Sequence, residues 1–175
     1  MDKFENRSRQ ELIDLLRMYA GNAITIDGLW FSILEERIGL EETVKIDEEV
    51  WGRYAAVEAR RIKQALNITG RDVKALAAVL DFQLWCSAPG FKYEITQSGE
   101  DRLTFIVQEC RSQRGRILSG KGEYPCKTVN TAIFREIVRE VNPDFEFRCV
   151  YCPPDPHPED TWCRWEFQLV RGEPA

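Results

Sequence analysis

Four of the six cysteines are spaced as metal ligands often are. Cys126, Cys149, Cys152 and Cys163 form the pattern C-x22-C-x2-C-x10-C, and the last three lie within the segment CVYCPPDPHPEDTWC. A C-x2-C pair binds metal or performs redox chemistry, depending on where the chain places it. Structural disulfides are rare in the cytosol, where we expect this protein, so metal binding or redox chemistry is favoured.

The secondary structure predicted around these cysteines brings them together. A helix over 127–141 would run about 22 Å in one direction, and a strand over 145–152 would return roughly 23 Å. If the strand that starts at Cys163 pairs antiparallel with this strand, all four thiols meet at one corner. Four thiolates in that arrangement suit a structural zinc ion, since no coordination position stays open for water.

Other interpretations of the cysteines stay open. The C-x2-C pair can be a redox centre, although it follows a strand rather than opening a helix. The four cysteines can also hold iron or an iron–sulfur cluster, or be plain structural thiols. His157, the only histidine, is expected to be an exposed loop residue but can replace one ligand. Cys110 is a buried inert thiol, a fifth thiol near the metal, or a weak catalytic candidate activated by Arg111 and Arg114.

Hydrophobic periodicity divides the chain into a helical part, 1–90, and a strand-rich part, 91–175, of a single domain. The predicted helices and strands are helix 9–39 with a break or bend at Gly21-Asn22, helix 41–67, a helix from Thr69 to Pro89-Gly90, strands 91–96 and 102–110, loop 111–125, helix 127–141, and strands 145–151 and 163–170. This order predicts an α+β fold, in which N-terminal helices pack on a C-terminal antiparallel sheet with one crossing helix.

Composition narrows the classes of partner. The net charge is −5, which argues against binding to nucleic acid or to an anionic membrane. No apolar run approaches the length of a membrane span, and the first residues lack the features of a signal peptide. We therefore expect a cytoplasmic protein. The sequence contains no G-x-S-x-G, P-loop or G-x-G-x-x-G signature.

The C-terminal half resembles the 4-vinyl-reductase-type domain, a small-molecule-binding module with a zinc site near its C-terminus. The four cysteines match that family's ligand positions in order, and WCRWEF looks like its closing strand. The same ending is similar to thiazoline-carboxylate hydrolase-like proteins. The full length, with DGLWFSILEERIGL and EEVWGRYAAVEARRI, looks like an uncharacterised family of prokaryotic cytosolic proteins related to both. The specific part of the resemblance covers roughly residues 100 to 170.

This resemblance implies a ligand cavity between helices and sheet, and often a homodimer. The residues that suit such a cavity are Trp30, Trp51, Tyr54, Trp85, Arg111 and Arg114, with Asp27, Glu35, Glu58 and Arg60 as further polar candidates. Such aromatics can equally be plain core, and such charges can be surface groups. We therefore expect a small-molecule-binding domain, with a hydrolase of a small heterocycle or amide as the alternative. In the hydrolase, Cys110 or a carboxylate of the cavity would be the active group.

Overall fold

A computed structural model describes residues 3–170 of the chain. Six helices and four strands follow in the order α1 (Arg9–Ile38), α2 (Leu40–Ala65), α3 (Val73–Asp81), α4 (Leu84–Ser87), β1 (Lys92–Ser98), β2 (Arg102–Glu109), α5 (Arg111–Leu118), α6 (Lys127–Val141), β3 (Phe145–Tyr151) and β4 (Cys163–Leu169). The predicted α+β fold with an antiparallel sheet is confirmed. None of the helices described combines the length and the apolar composition needed to cross a bilayer.

The sheet has the order β1-β2-β4-β3, and every neighbouring pair is antiparallel. The predicted pairing of the last two strands is therefore confirmed. Alternating residues of β4, among them Trp165 and Phe167, are buried on one face of the sheet. Cys163 begins β4 opposite Val107 of β2. The sheet thus places the first residue of β4 beside the end of β2.

Helix α6 packs across the buried face of the sheet. The Phe134 ring contacts Phe105, Trp165 and Phe167, with centroid distances of 5.9, 4.9 and 5.3 Å. On its other side α6 lies against α2, where a Cβ at Gly52 would stand 3.3 Å from Cβ of Ala132. Because α6 separates α2 from the sheet, the crossing helix is the centre of the core.

Helix α1 is continuous over 30 residues, so the predicted break at Gly21-Asn22 is wrong. Ser8 and Glu11 form a capping box at its start, which satisfies free backbone N–H groups there. Gly21 is buried, and a Cβ on it would meet Pro89 at 3.4 Å and Arg111 at 3.5 Å. This glycine therefore lies within an unbroken helix, at ordinary contact distance from Pro89 and Arg111.

Two other boundaries differ from the prediction. The segment 111–125 was expected to be a loop, yet its first eight residues form α5. The Gln113 side chain of α5 accepts a hydrogen bond from the Tyr124 backbone N–H at 2.7 Å and donates to the Tyr124 carbonyl at 2.8 Å. These tertiary contacts override a weak local helix propensity. The helix expected to reach Pro89 ends at Asp81, and the short α4 follows.

Candidate functional site

A cavity of about 570 Å³ lies between α1 and the sheet. Helix α1 lines it along residues 24–32, and α5 and the start of α6 line it from the other side. Its wall includes the aromatic side chains Phe31, Trp51, Trp85, Phe105 and Tyr124. The thiols of Cys110, Cys126 and Cys163 border the same space. The cavity therefore joins an apolar wall, a set of thiols and several charged groups.

Two carboxyl groups from different helices face this cavity. Asp27 belongs to α1 and Asp47 to α2, and the Tyr124 hydroxyl donates a hydrogen bond to Asp47. Burial, with the neighbouring charge of Asp47, raises the pKa of Asp27 to about 7. Burial likewise raises the pKa of Asp47 to about 6. The Trp51 side chain opposes both shifts by hydrogen bonding.

These two carboxyl groups are only partly ionised near neutral pH. Neither has an ion-pair partner within 4 Å in the part of the chain described, residues 3–170. Carboxyl groups in that state can donate or accept a proton, or hold a cation that replaces the proton. We call Asp27, Asp47 and Tyr124 the aspartate wall.

Three basic side chains also line the cavity. Both terminal guanidinium nitrogens of Arg116 donate to Glu35 at 2.8 Å, and Lys121 donates to the same carboxylate at 3.1 Å. The hydrogen bonds from Arg116 are the main reason that the pKa of Glu35 falls to about 2. Arg111 donates to the Thr25 hydroxyl at 3.0 Å and has no acidic partner within 4 Å among residues 3–170. Arg111 is thus the cation available to a ligand.

Three of the four predicted metal ligands meet at the end of the cavity. The sulfur atoms of Cys126 and Cys152 are 3.6 Å apart. Cys163 also hydrogen-bonds Cys152, and Cys110 lies near enough to raise the pKa values of Cys126 and Cys163 further. Cys126, Cys152 and Cys163 are hereafter the thiol cluster.

Amide N–H groups point at the thiol cluster. Gln113 Nε2 donates to Cys126 Sγ at 3.4 Å, and Asn130 Nδ2 donates to Cys152 Sγ at 3.6 Å. Hydrogen bonds from Cys126 and Cys163 lower the pKa of Cys152 to about 4, and the Asn130 amide adds to the effect. N–H donors of this kind favour thiolates, and they commonly support the sulfur ligands of a metal.

Cys149 stands apart from the thiol cluster. It lies on β3 opposite Trp165 of β4, and burial and the charge of Cys152 raise its pKa to about 12, with Lys127 opposing the shift. Within residues 3–170, no set of three or more His, Cys, Asp or Glu side chains is arranged to hold a metal ion as it stands. The cysteines have the donor atoms that zinc prefers, and the zinc site stays a prediction.

Of the two further candidates in this region, Cys110 and His157, only His157 differs from what was expected. Burial raises the pKa of Cys110, and backbone N–H groups of α5 oppose this shift only in part. Its thiol is thus protonated, which a nucleophile must not be. His157 is not the exposed loop residue that was expected, because its side chain is 13% exposed. The His157 ring packs on Trp162 at 5.1 Å and its Nε2 lies 3.5 Å from Glu123.

The predicted ligand residues divide between two cavities. Trp51, Trp85 and Arg111 line the large cavity. Trp30 and Tyr54 line a second cavity of about 420 Å³, which Trp51 also borders. Arg114 is exposed and lines neither of these two.

The further polar candidates also separate. Asp27 borders both cavities. Glu35 is held by Arg116, and exposed Arg60 lies 3.5 Å from Glu140. Glu58 is buried, where it accepts a hydrogen bond from the Leu84 backbone N–H at 2.7 Å. Only Asp27 of these four thus lies on the aspartate wall.

Several residues of the site escaped the sequence reasoning. Asp47 lies in the charged segment VKIDEEVW, where an acidic residue is normally expected to be exposed to solvent. Its i,i+4 spacing to Trp51 was a usable signal, because that spacing puts both on one helix face. Tyr124, Gln113 and Asn130 carried no signal, since their contacts join segments distant in sequence.

The chain matches, over residues 5–169, a family described as a family of unknown function (DUF6125). Because the match spans nearly the whole chain, the protein belongs to this family. No curated protein matches the chain.

Replacement of Asp27 by Asn should make the protein more stable at high pH. The raised pKa means that the folded state prefers the protonated carboxyl, so wild-type stability falls as pH rises from about 4 to about 7. At pH 8 the unfolding free energy of Asp27→Asn should exceed that of the wild type by about 2 to 4 kcal/mol. Urea denaturation at pH 4, 6 and 8 measures this difference, which should vanish at pH 4.

Asp14→Asn is the matched control, because Asp14 is an exposed residue of the same helix. Its stability should follow that of the wild type at every pH. A constant difference between Asp27→Asn and wild type across this range would contradict the assigned protonation of Asp27.

Proposed function

We propose that this protein binds a small molecule in the cavity between α1 and the sheet, as a 4-vinyl-reductase-like domain. The observation that carries the proposal is the cavity itself, whose volume of about 570 Å³ lies within the range of ligand pockets. Its wall is mainly apolar and aromatic, with a few polar groups grouped at particular places. All six cysteines are free thiols, which suits a reducing cytoplasm, where we place the protein.

A structural zinc ion is the second part of the proposal. The thiol cluster would supply three ligands, Cys126, Cys152 and Cys163, and either Cys149 or Cys110 the fourth. Support comes from the donors that surround the sulfur atoms, the Gln113 and Asn130 amides. When bound, zinc would tie the start of α6 to the β3–β4 loop and to β4, and would add folding free energy.

A hydrolase of a small heterocycle or amide is the alternative. One observation favours it: Asp27 and Asp47 have pKa values near 7 and near 6, which suits a general acid or base. The protonated Cys110 thiol argues against covalent catalysis by that residue. We prefer binding, because the described lining of the cavity holds no thiolate or activated hydroxyl as nucleophile.

Large residues at Gly28 or Gly115 should close the cavity. Both glycines line it, and a Cβ at either would meet no atom within 4 Å. Gly28→Trp and Gly115→Trp should each weaken the binding of naphthalene-2-carboxamide, a neutral aromatic probe, by about tenfold or more in calorimetry. Gly28→Ala and Gly115→Ala should retain the wild-type affinity. Failure of the wild type to bind the probe, or unchanged binding by both Trp variants, would refute this location.

The protein purified without added metal should contain about one zinc per chain. Cys152→Ser and Cys163→Ser should each lose the metal and about 3 kcal/mol or more of unfolding free energy. Cys149→Ser and Cys110→Ser identify the fourth ligand, since only the true ligand should lower metal content. Cys86→Ser, a change in α4, serves as control. Elemental analysis that finds no zinc would rule the site out.

We also propose a homodimer through α1. Seven large apolar side chains, here called the α1 stripe, cover one side of this helix and are each 44% to 68% exposed: Leu16, Met18, Tyr19, Ile26, Leu29, Trp30 and Ile33. A stable interface buries about 800 Å² per partner, and side chains of this size and exposure supply a comparable area. A second copy fits best, because the same stripe on two chains is self-complementary about a two-fold axis.

Charge placed in the α1 stripe should separate the two copies. Ile26→Glu combined with Trp30→Glu should convert a dimer to a monomer in light scattering, because burying two unpaired carboxylates per chain is unfavourable. Leu118→Glu, a change at a residue of α5 that is 78% exposed, should leave the dimer intact. A wild-type protein that is monomeric at micromolar concentration would refute the interface.

A further inference from the structure

We propose that the aspartate wall binds a protonated nitrogen group, an amine or an amidinium, of the molecule in the cavity. The inference rests on the proposed function and names the chemical class of its ligand. It starts from an imbalance of charge. Two carboxyl groups line a largely apolar space, and no basic side chain of residues 3–170 lies within 4 Å of either.

The basic residues of the cavity do not neutralise the aspartate wall. Arg116 and Lys121 are both held by Glu35, and Arg111 donates to the neutral Thr25 hydroxyl, away from the aspartate wall. None of the three is among the groups that shift the pKa of Asp27 or Asp47; burial is the main cause of both shifts, and the charge of Asp47 adds to it at Asp27. Partly buried carboxylates without a counter-ion are unfavourable, so a cationic ligand group would relieve an existing cost.

The geometry presents the carboxyl groups to a ligand. Asp27 and Asp47 come from two separate helices and both border the two cavities described above. The Tyr124 hydroxyl binds one oxygen of Asp47, Oδ2, which fixes the orientation of that carboxyl group. The single Trp51 ring N–H is the other donor to the pair, so carboxyl oxygens of Asp27 and Asp47 are left to accept the N–H groups of a ligand, which donate in several directions.

The neighbouring aromatic rings favour an organic cation over a metal ion. Trp51 packs against Trp85 with a centroid distance of 5.2 Å, and Phe31 packs against Tyr124 at 5.0 Å. These four side chains all line the cavity. Aromatic faces attract organic cations and accommodate their carbon atoms. A divalent metal would require further oxygen ligands, and residues 3–170 contain no set of acidic, histidine or cysteine side chains arranged for one.

Near neutral pH, where the Asp27 carboxyl in particular is partly protonated, binding of the cation should release protons. Tyr124, from the segment before α6, is the titratable group in contact with the pair, and Cys126 lines the same cavity. Arg111, Arg116 and Lys121 line the same cavity from α5 and the turn after it. Because Tyr124 stays protonated as the donor to Asp47, the exchange involves the carboxyl groups alone.

The test compares two probes of nearly equal shape by calorimetry at pH 8. Naphthalene-2-carboximidamide carries an amidinium, and naphthalene-2-carboxamide is neutral. The wild type should bind the amidinium about tenfold or more tightly than the amide. Asp27→Asn, Asp47→Asn and the double variant should lose most of this preference while they still bind the amide. Asp14→Asn should keep it.

A loss of preference in Asp27→Asn would not be due to unfolding, because this variant is expected to be more stable than the wild type at pH 8. At pH 5 the preference of the wild type should shrink, since both carboxyl groups are then largely protonated. Equal affinity of the wild type for the two probes, or a preference that survives in the double variant, would overturn the inference and leave the binding function standing. Binding of neither probe would overturn both.

Discussion

Strand β4 is hydrogen-bonded on both sides, to β2 and to β3, and the arrangement of the site depends on this pairing. The Trp162 backbone N–H donates to the Val107 carbonyl at 2.7 Å, which seats the start of β4 against the end of β2. The Lys127 N–H donates to the Pro153 carbonyl at 3.0 Å, which joins the start of α6 to the loop after β3. These two bonds bring Cys163, Cys126 and Cys152 together. They also fix one end of the cavity, because Cys126 and Cys163 belong to its wall.

The site is made of groups that lower the stability of the fold. A cavity of this size forgoes packing that a filled core would have, and the two aspartates are protonated or uncompensated in it. Away from the cavity the chain packs tightly, and α3 buries Val73, Leu76, Val79 and Leu80 completely. Loose packing and strained charges confined to one region are a common mark of a functional site, since selection retains such costs only where they serve an activity.

The sequence predicted the parts of this structure that local pattern controls. Alternating residues such as Trp165 and Phe167 identified β4, and the periodicity of 127–141 identified α6. The meeting of Cys126, Cys152 and Cys163 also followed, since element lengths and antiparallel pairing set it. Residues governed by long-range contacts were missed. Helix α5 depends on the hydrogen bonds between Gln113 and Tyr124, which the hydrophobic periodicity of the sequence does not predict.

The same limit applies to the ligand residues. Aromatic type alone could not separate Trp85, which lines the large cavity, from Trp30, which is 64% exposed. Both tryptophans lie on helices and have similar neighbours in the sequence. Only the rotation of each helix in the fold decides which side its tryptophan ring faces. Asp47 was missed for the same reason, because burial of a charged residue depends on what packs over it.

Helix α1 carries the cavity on one side and the exposed apolar stripe on the other. Asp27, Phe31 and Gly28 line the large cavity. Ile26 and Trp30 lie on the stripe and border the second cavity, and Leu29 of the stripe also reaches the wall of the large one. If α1 both lines the cavity and forms the dimer interface, few positions over its 30 residues tolerate random substitution. A change on one side of the helix can shift it and so alter the side chains on the other. This helix should therefore drift slowly during evolution, although it lies at the surface, where sequences usually vary most.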